Sequence, residues 1–174
     1  MEIFHGKNCK LVEICAELKE DFCKLAAEGI AAKETPYINW DGDFEDYLRR
    51  MQILASGDNI PADEVPRNTY FLFCGEKIIG RSEIRRELND ELRLIGGHLG
   101  ADVRKSERKK GFGALILKLT LEKARELGLE KVLATCDKQN IASAKTIEKC
   151  GGVFEKEIMS EEKGTIFLHY WFNL

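Results

Sequence analysis

Residues 103–117 read VRKSERKKGFGALIL: five basic residues and two glycines set directly before an apolar helical run. The first turn of a helix leaves backbone N–H groups without partners, at the positive end of the helix dipole. Glycine lets a bulky anion approach those groups, and Arg108, Lys109 and Lys110 add formal charge. Together Gly111, Phe112, Gly113 and Ala114 at the helix start read as a phosphate or pyrophosphate cradle. The P-loop pattern is absent. The dinucleotide pattern G-x-G-x-x-G begins at Gly111, but Ile116 stands where its third glycine belongs. A solvated basic loop remains the alternative.

Working outward, residues 91–103 (ELRLIGGHLGADV) read as a strand with a bulge at its glycines, entered by a turn at Asn89-Asp90. Upstream, TYFLFCGEKIIGRSEIRREL reads as a hairpin turning at Gly75-Glu76. Two amphipathic helices precede it. One spans 13–28 and is ended by Gly29; the other spans 43–55, with Asp43 as cap and Gly57 as stop. The polar, aromatic loop KETPYINWDGD between them is a possible substrate wall. Before them lies a short N-terminal strand candidate. Downstream come a helix at 114–128, a buried strand at 131–137, a helix at 141–150 ended by Gly151-Gly152, and two antiparallel strand candidates. With no repeat and no low-complexity linker, the 174 residues read as one α/β domain: a single mixed, mostly antiparallel sheet flanked by helices.

The formal charge of −3 makes the basic run a local feature and argues against nucleic acid as a partner. No apolar stretch approaches the roughly 20 residues of a membrane helix, and the first ten residues do not resemble a secretory signal. The expected location is the cytoplasm, without membrane association. The six cysteines contain no C-x-x-C pair and no zinc-like spacing, so free thiols and no metal are expected.

Arg108-Lys109-Lys110-Gly111-Phe112-Gly113 resembles the R/Q-x-x-G-x-G/A signature of the GNAT superfamily of acyl-CoA-dependent N-acyltransferases. VRKSER is similar to the family's V-x-P-x-x-R, with Lys105 replacing the proline. The segment from Asn140 to Gly152 resembles N-x-x-A/S-x-x-x-Y-x-K-x-G-F, with Ile147 at the tyrosine. The likeness covers about residues 70–172 well and the N-terminal third loosely, and is nearest to a bacterial subgroup of predicted acetyltransferases.

The resemblance implies a GNAT fold and transfer of an acetyl group from acetyl-CoA to a primary amine on a small molecule or protein. It also implies direct transfer in a ternary complex, and it allows a homodimer. The amides of Arg108 through Ala114 would hold the pyrophosphate. Ala101 and Val103 would pair with the pantetheine arm, and Asn140 and Ser143 would touch it from the other side. A backbone N–H near Gly100–Asp102 would stabilise the carbonyl oxygen. His98 is the first candidate base, with an ordinary pKa of about 6.5; Glu83 is the second, and Asp102 could face the same side. With Ile147 in place of the tyrosine, the leaving thiolate has Tyr170 as a weak proton source or departs unaided. A non-catalytic acyl-CoA sensor is the competing reading.

Overall fold

The computed structural model describes residues 2–34, 37 and 40–174. Of the aromatic loop, Tyr37 and Trp40 are therefore described, whereas Thr35, Pro36, Ile38 and Asn39 lie outside the described residues. Five antiparallel strands follow one another in chain order: β1 (Glu2–Phe4), β2 (Lys7–Glu13), β3 (Arg67–Cys74), β4 (Lys77–Arg85) and β5 (Leu99–Val103). A second ladder holds β6 (Lys131–Asp137), β7 (Val153–Ser160) and β8 (Thr165–Asn173) in the order β6-β8-β7. The two ladders meet at a bridge between Gly97 and Ala134. The expected sheet is thus opened into two parts between β5 and β6.

Helices α1 (Lys19–Ala31) and α2 (Phe44–Ser56) cover one face of the five-stranded sheet, with Phe22, Leu25, Phe44 and Leu54 packed on Phe71. α2 begins and ends as its sequence predicts: Asp43 accepts the N–H of Asp46, and Gly57 takes the left-handed conformation at φ 82°. α1 starts later than predicted, after a 3-10 turn at Ala16–Leu18, and Gly29 lies inside it rather than ending it. The ring of Tyr37 packs against Gly29, where a Cβ would come within 2.3 Å of it. This glycine serves packing, not termination.

The expected strand over 91–103 is corrected. Asn89 caps a short helix, α3 (Asp90–Leu94), by accepting the N–H of Leu92. Gly96 and Gly97 then reverse the chain at positive φ, and β5 begins only at Leu99. On the other face of the sheet α4 (Phe112–Glu126) buries Leu115, Ile116 and Leu119 against Leu72 and Ile79. Its Thr120 hydroxyl meets that of Ser82 on β4 at 2.7 Å. α5 (Ile141–Lys149) places Ile147 among Val132, Tyr170 and Phe172 of the second ladder.

The cysteines also depart from expectation. Cys9 and Cys74 face each other across β2 and β3 and are joined as a disulfide; Cys15, Cys23, Cys136 and Cys150 are free thiols. Side-by-side placement on paired strands, which spacing along the chain does not reveal, brings the two sulfurs together. No helix among the described residues is long and apolar enough to cross a membrane.

Candidate active site

The basic loop links β5 to α4. Gly111, at φ 88°, is the N-cap of α4, and the first intrahelical bond runs from the Leu115 N–H to the Gly111 carbonyl. The N–H groups of Phe112, Gly113 and Ala114 are therefore left without intrahelical partners. A Cβ on Gly113 would meet only Val103 Cγ2 and Thr146 Cγ2, both at 3.9 Å. Neither strain nor internal crowding demands glycine there, and the missing side chain leaves the amides open to approach. The same two contacts bring the loop, the end of β5 and α5 to one place.

Three of the basic side chains are engaged by carboxylates within the protein. Arg104 pairs with Glu28, Arg108 with Glu34, and Lys110 with Glu107. Arg108 Nε also donates to the Val103 carbonyl at 2.9 Å. These contacts set the loop's shape against α1, while Lys109, at φ 63°, and Lys105 are exposed to solvent.

β5 offers an open edge. Arg104 N–H donates to Ile79 and Arg85 N–H to His98, so the even-numbered residues of this stretch bond to β4. In an antiparallel ladder the alternate residues turn their backbone groups the other way. Leu99, Ala101 and Val103 therefore present theirs toward the gap between the two ladders. Ala101 and Val103 are the residues expected to pair with an extended arm, and the N–H expected near Gly100–Asp102 to face a carbonyl oxygen is that of Ala101.

His98 stands at the head of this gap. Its backbone N–H donates to the Leu133 carbonyl at 2.8 Å, and its Nδ1 accepts the Leu133 N–H at 2.9 Å. A ring nitrogen that accepts an amide proton carries none, so the neutral ring holds its proton on Nε2. Burial, aided by Arg93 and Arg85, keeps this imidazole below its ordinary pKa. The side chain closes the junction between β5 and β6.

On the face toward α1 and α2, cross-strand neighbours build a polar stripe. Thr69 lies opposite Glu83, Arg67 opposite Arg85, and Arg81 opposite Asp102. Glu83 is 8% exposed and is engaged by Arg81, by Arg85 at 3.1 Å and by Arg67 at 3.7 Å. Burial alone would raise its carboxyl; Arg81, Arg85 and Arg67 overcome that and hold it below the usual value. Asp102 behaves in the opposite way. Burial, reinforced by Glu34 and opposed by Arg81, pushes its carboxyl up to about 6. The Tyr37 hydroxyl points to its Oδ1 at 3.4 Å. Sequence reasoning ranked Asp102 behind His98 and Glu83, because the pairing that surrounds it crosses three elements.

Across the gap, Asn140 caps α5 by accepting the N–H of Ser143 at 3.1 Å, and both lie on the helix that abuts Gly113 through Thr146. Ile147 is buried and packs against the position of Gly152. Tyr170 is buried in the core, its hydroxyl donating to Glu148 at 3.0 Å. Among the described residues no cluster of three or more His, Cys, Asp or Glu side chains could hold a metal ion.

This architecture recurs in known proteins. The structure of the microcin C7 self-immunity acetyltransferase MccE, in complex with acetyl-CoA and AMP, superposes with a TM-score of 0.70 at 13% identity, over 95% of this chain and 92% of that one. RimL, a ribosomal L7/L12 α-N-protein acetyltransferase in complex with coenzyme A, gives 0.72 at 13% identity, over 99% and 97%. A GNAT-family acetyltransferase from Streptococcus pneumoniae gives 0.63 at 23% identity, over 96% and 99%. No curated protein sequence matches the chain. The sequence itself matches the family described as acetyltransferase (GNAT) domain over residues 12–153. With a glycine-opened amide cradle, a free strand edge beside it and a matching domain over most of its length, the chain belongs to the GNAT acetyltransferase family.

Proposed function

We propose that this protein is an acetyl-CoA-dependent N-acetyltransferase that transfers the acetyl group directly to a primary amine in a ternary complex. The observation that carries the reading is the edge of β5 turned away from β4 at Ala101 and Val103, where Arg108 Nε already holds the Val103 carbonyl, running into the amide cradle at Gly111–Ala114. Complexes of two structural relatives with acetyl-CoA or coenzyme A support the same co-substrate here. When bound, acetyl-CoA supplies an activated acyl carbon as a thioester. The amides of the 108–114 loop would hold its pyrophosphate, and the edges of Ala101 and Val103 its pantetheine arm. Asn140 and Ser143 would approach from α5.

An amine arrives as an ammonium, with no lone pair to attack a carbonyl, so a base must first take its proton. Asp102 is the carboxylate suited to this. It lies beside the residue whose N–H faces the gap, and its raised pKa gives it more basicity than an ordinary aspartate. Glu83 is held as a structural anion by three guanidiniums, and His98 is committed at Nδ1 to Leu133. Ala101 N–H stabilises the negative charge that develops on the carbonyl oxygen. Ile147 offers no proton to the leaving sulfur, and Tyr170 is engaged with Glu148; the modest basicity of a thiolate allows it to depart without a donor.

Thermal unfolding tests the co-substrate. A ligand at about 100 times its dissociation constant adds about 2.7 kcal/mol, roughly 5–10 °C in a domain of this size. Such a shift with acetyl-CoA and CoA, and none with ATP or NADH, is expected. The converse pattern overturns the acyltransferase reading. A CoA shift without turnover of any amine supports the sensor instead, which the missing tyrosine at Ile147 keeps in play.

A further inference from the structure

The acceptor's chemistry is written in the polar stripe. Arg67 Nε, Arg81 Nε and the Tyr47 hydroxyl are buried and have no hydrogen-bond partner among the described residues; neither has the hydroxyl of Thr69. These groups are close together. Arg67 and Arg81 both address Oε1 of Glu83, and Thr69 is the cross-strand neighbour of Glu83. Tyr47 enters from α2, packing its ring on Phe22 at 4.5 Å between centroids, and its hydroxyl faces Arg81. Burial, opposed by Arg81 and reinforced by Glu83 and Asp102, raises the Tyr47 phenol, so it stays protonated.

Buried polar groups in folded proteins are nearly always hydrogen-bonded, and one left without a partner costs stability. Here two guanidinium N–H groups and a phenol share that condition in one place, on the same sheet face as Asp102. Arginine N–H groups are donors only, and the phenol and the Thr69 hydroxyl can each donate too. A ligand completing them must bring acceptor oxygens, and beside guanidiniums an ionised oxyanion is favoured over a neutral carbonyl.

Resting on the acetyltransferase reading above, we propose that the acceptor amine carries an oxyanion, a carboxylate or a phosphate, which is bound by Arg67, Arg81 and Tyr47 while the amine meets Asp102. A polyamine is excluded by the same groups. It brings donors where acceptors are needed, and the carboxylates present there are already taken by guanidiniums: Glu83 by Arg81 and Arg85, Glu64 by Arg67.

The test is thermal unfolding of the CoA complex with four small amines at equal concentration: β-alanine, phosphoethanolamine, ethanolamine and putrescine. β-Alanine or phosphoethanolamine is expected to raise the midpoint by roughly 2–5 °C, and ethanolamine and putrescine not at all. A shift with only one of the first two names the oxyanion. Tyr47→Phe removes a hydroxyl that has no partner in the free protein, so it should leave the fold and the CoA shift intact while shrinking the oxyanion-dependent shift. Arg81→Gln should abolish that shift. Equal or larger shifts with ethanolamine or putrescine, no shift with any of the four, or an oxyanion shift unchanged in Tyr47→Phe would each overturn the proposal while leaving the CoA reading intact. A wild-type protein without a CoA shift overturns the cofactor reading first, and this one with it.

Discussion

His98 and Leu133 exchange two hydrogen bonds, one through the histidine backbone and one through its ring. The second ties protonation to architecture. The imidazole's pKa is lowered in the folded protein, so its contribution to stability is complete above the unfolded value of about 6.5. It is lost as pH falls through the folded value.

His98→Ala should leave the Leu133 N–H without a partner and cost about 1–3 kcal/mol. His98→Asn, whose Oδ1 can replace Nδ1 as acceptor, should recover most of that and flatten the pH dependence of the melting temperature between pH 5 and 7. Activity decides between clasp and base. The asparagine variant should retain turnover within a few-fold if His98 holds the junction, whereas a base would lose about 10²–10⁴-fold in either variant. Denaturation curves and initial rates on the same preparations give both readings.

Asp102 should titrate in the rate. With its carboxyl raised to about 6, kcat/KM is expected to rise with pH through that value. Asp102→Asn should lower turnover by about 10²–10⁴-fold and remove this limb of the profile. Stability should move the other way. A carboxyl whose folded pKa lies above its unfolded value of 3.8 destabilises the fold as pH rises between the two. The asparagine variant should therefore melt higher than wild type at pH 8. A lower melting temperature with unchanged rate would remove Asp102 from the chemistry.

Glu83→Gln separates the two carboxylates. Glu83 contributes stability above its unfolded value, because three guanidiniums hold its folded pKa down, and that contribution is lost as pH falls through the folded value. Removing the charge leaves Arg81 and Arg85 around a neutral amide, while Arg67 keeps its pair with Glu64. A loss of about 3–5 kcal/mol is expected, measurable by denaturant titration at neutral pH. A variant as stable as wild type would mean that the stripe tolerates its own positive charge.

The second half of the chain was legible because its signals are local. β6 runs from Lys131 to Asp137 as its short apolar run predicts, and the glycines at 111 and 113 mark the start of α4 within a residue or two. What escaped depended on contacts between distant residues. Gly29 is an interior glycine because Tyr37 lies on it. Residues 90–94 form a helix because Asn89 caps them, whereas the apolar residues there read equally well as a strand. The basic loop advertised charge, yet Glu28, Glu34 and Glu107 neutralise much of it. Asp102 acquires its character from burial first and then from the balance of Arg81, Glu34 and Tyr37, none of them near it in the chain.

The two glycines of the cradle should respond differently to substitution. Gly111 sits at φ 88°, where an L side chain is strained, and a Cβ would also press on Phe4 at 3.0 Å. Gly111→Ala should therefore cost stability, about 1 kcal/mol or more. Gly113→Val has negative-φ backbone and places its Cβ in ordinary van der Waals contact with Val103 and Thr146, so it should lower the unliganded melting temperature little, while the CoA-dependent shift falls sharply because the side chain covers the amides. If Gly113→Val instead unfolds the protein and spares CoA binding in the folded fraction, the glycine serves packing and the cradle lies elsewhere.

The cross-link between Cys9 and Cys74 closes a loop with a sequence separation of 65 residues, joining β2 to the β3–β4 hairpin beneath α4. Chain-entropy arguments assign such a closure about 4 kcal/mol, roughly 10 °C in a domain of this length. Both sulfurs are buried, with neither residue exposed to solvent, so reduction needs local opening and should be slow in the folded protein. Alkylation under denaturing, non-reducing conditions should label four cysteines, and prior reduction should raise that to six. Cys74→Ser should lower the melting temperature and loosen the packing of Phe112 and Leu115, weakening CoA binding through the position of α4 rather than through contact with the ligand. Six labelled cysteines without reduction would make the pair two buried thiols, and the melting temperature should then be indifferent to reductant.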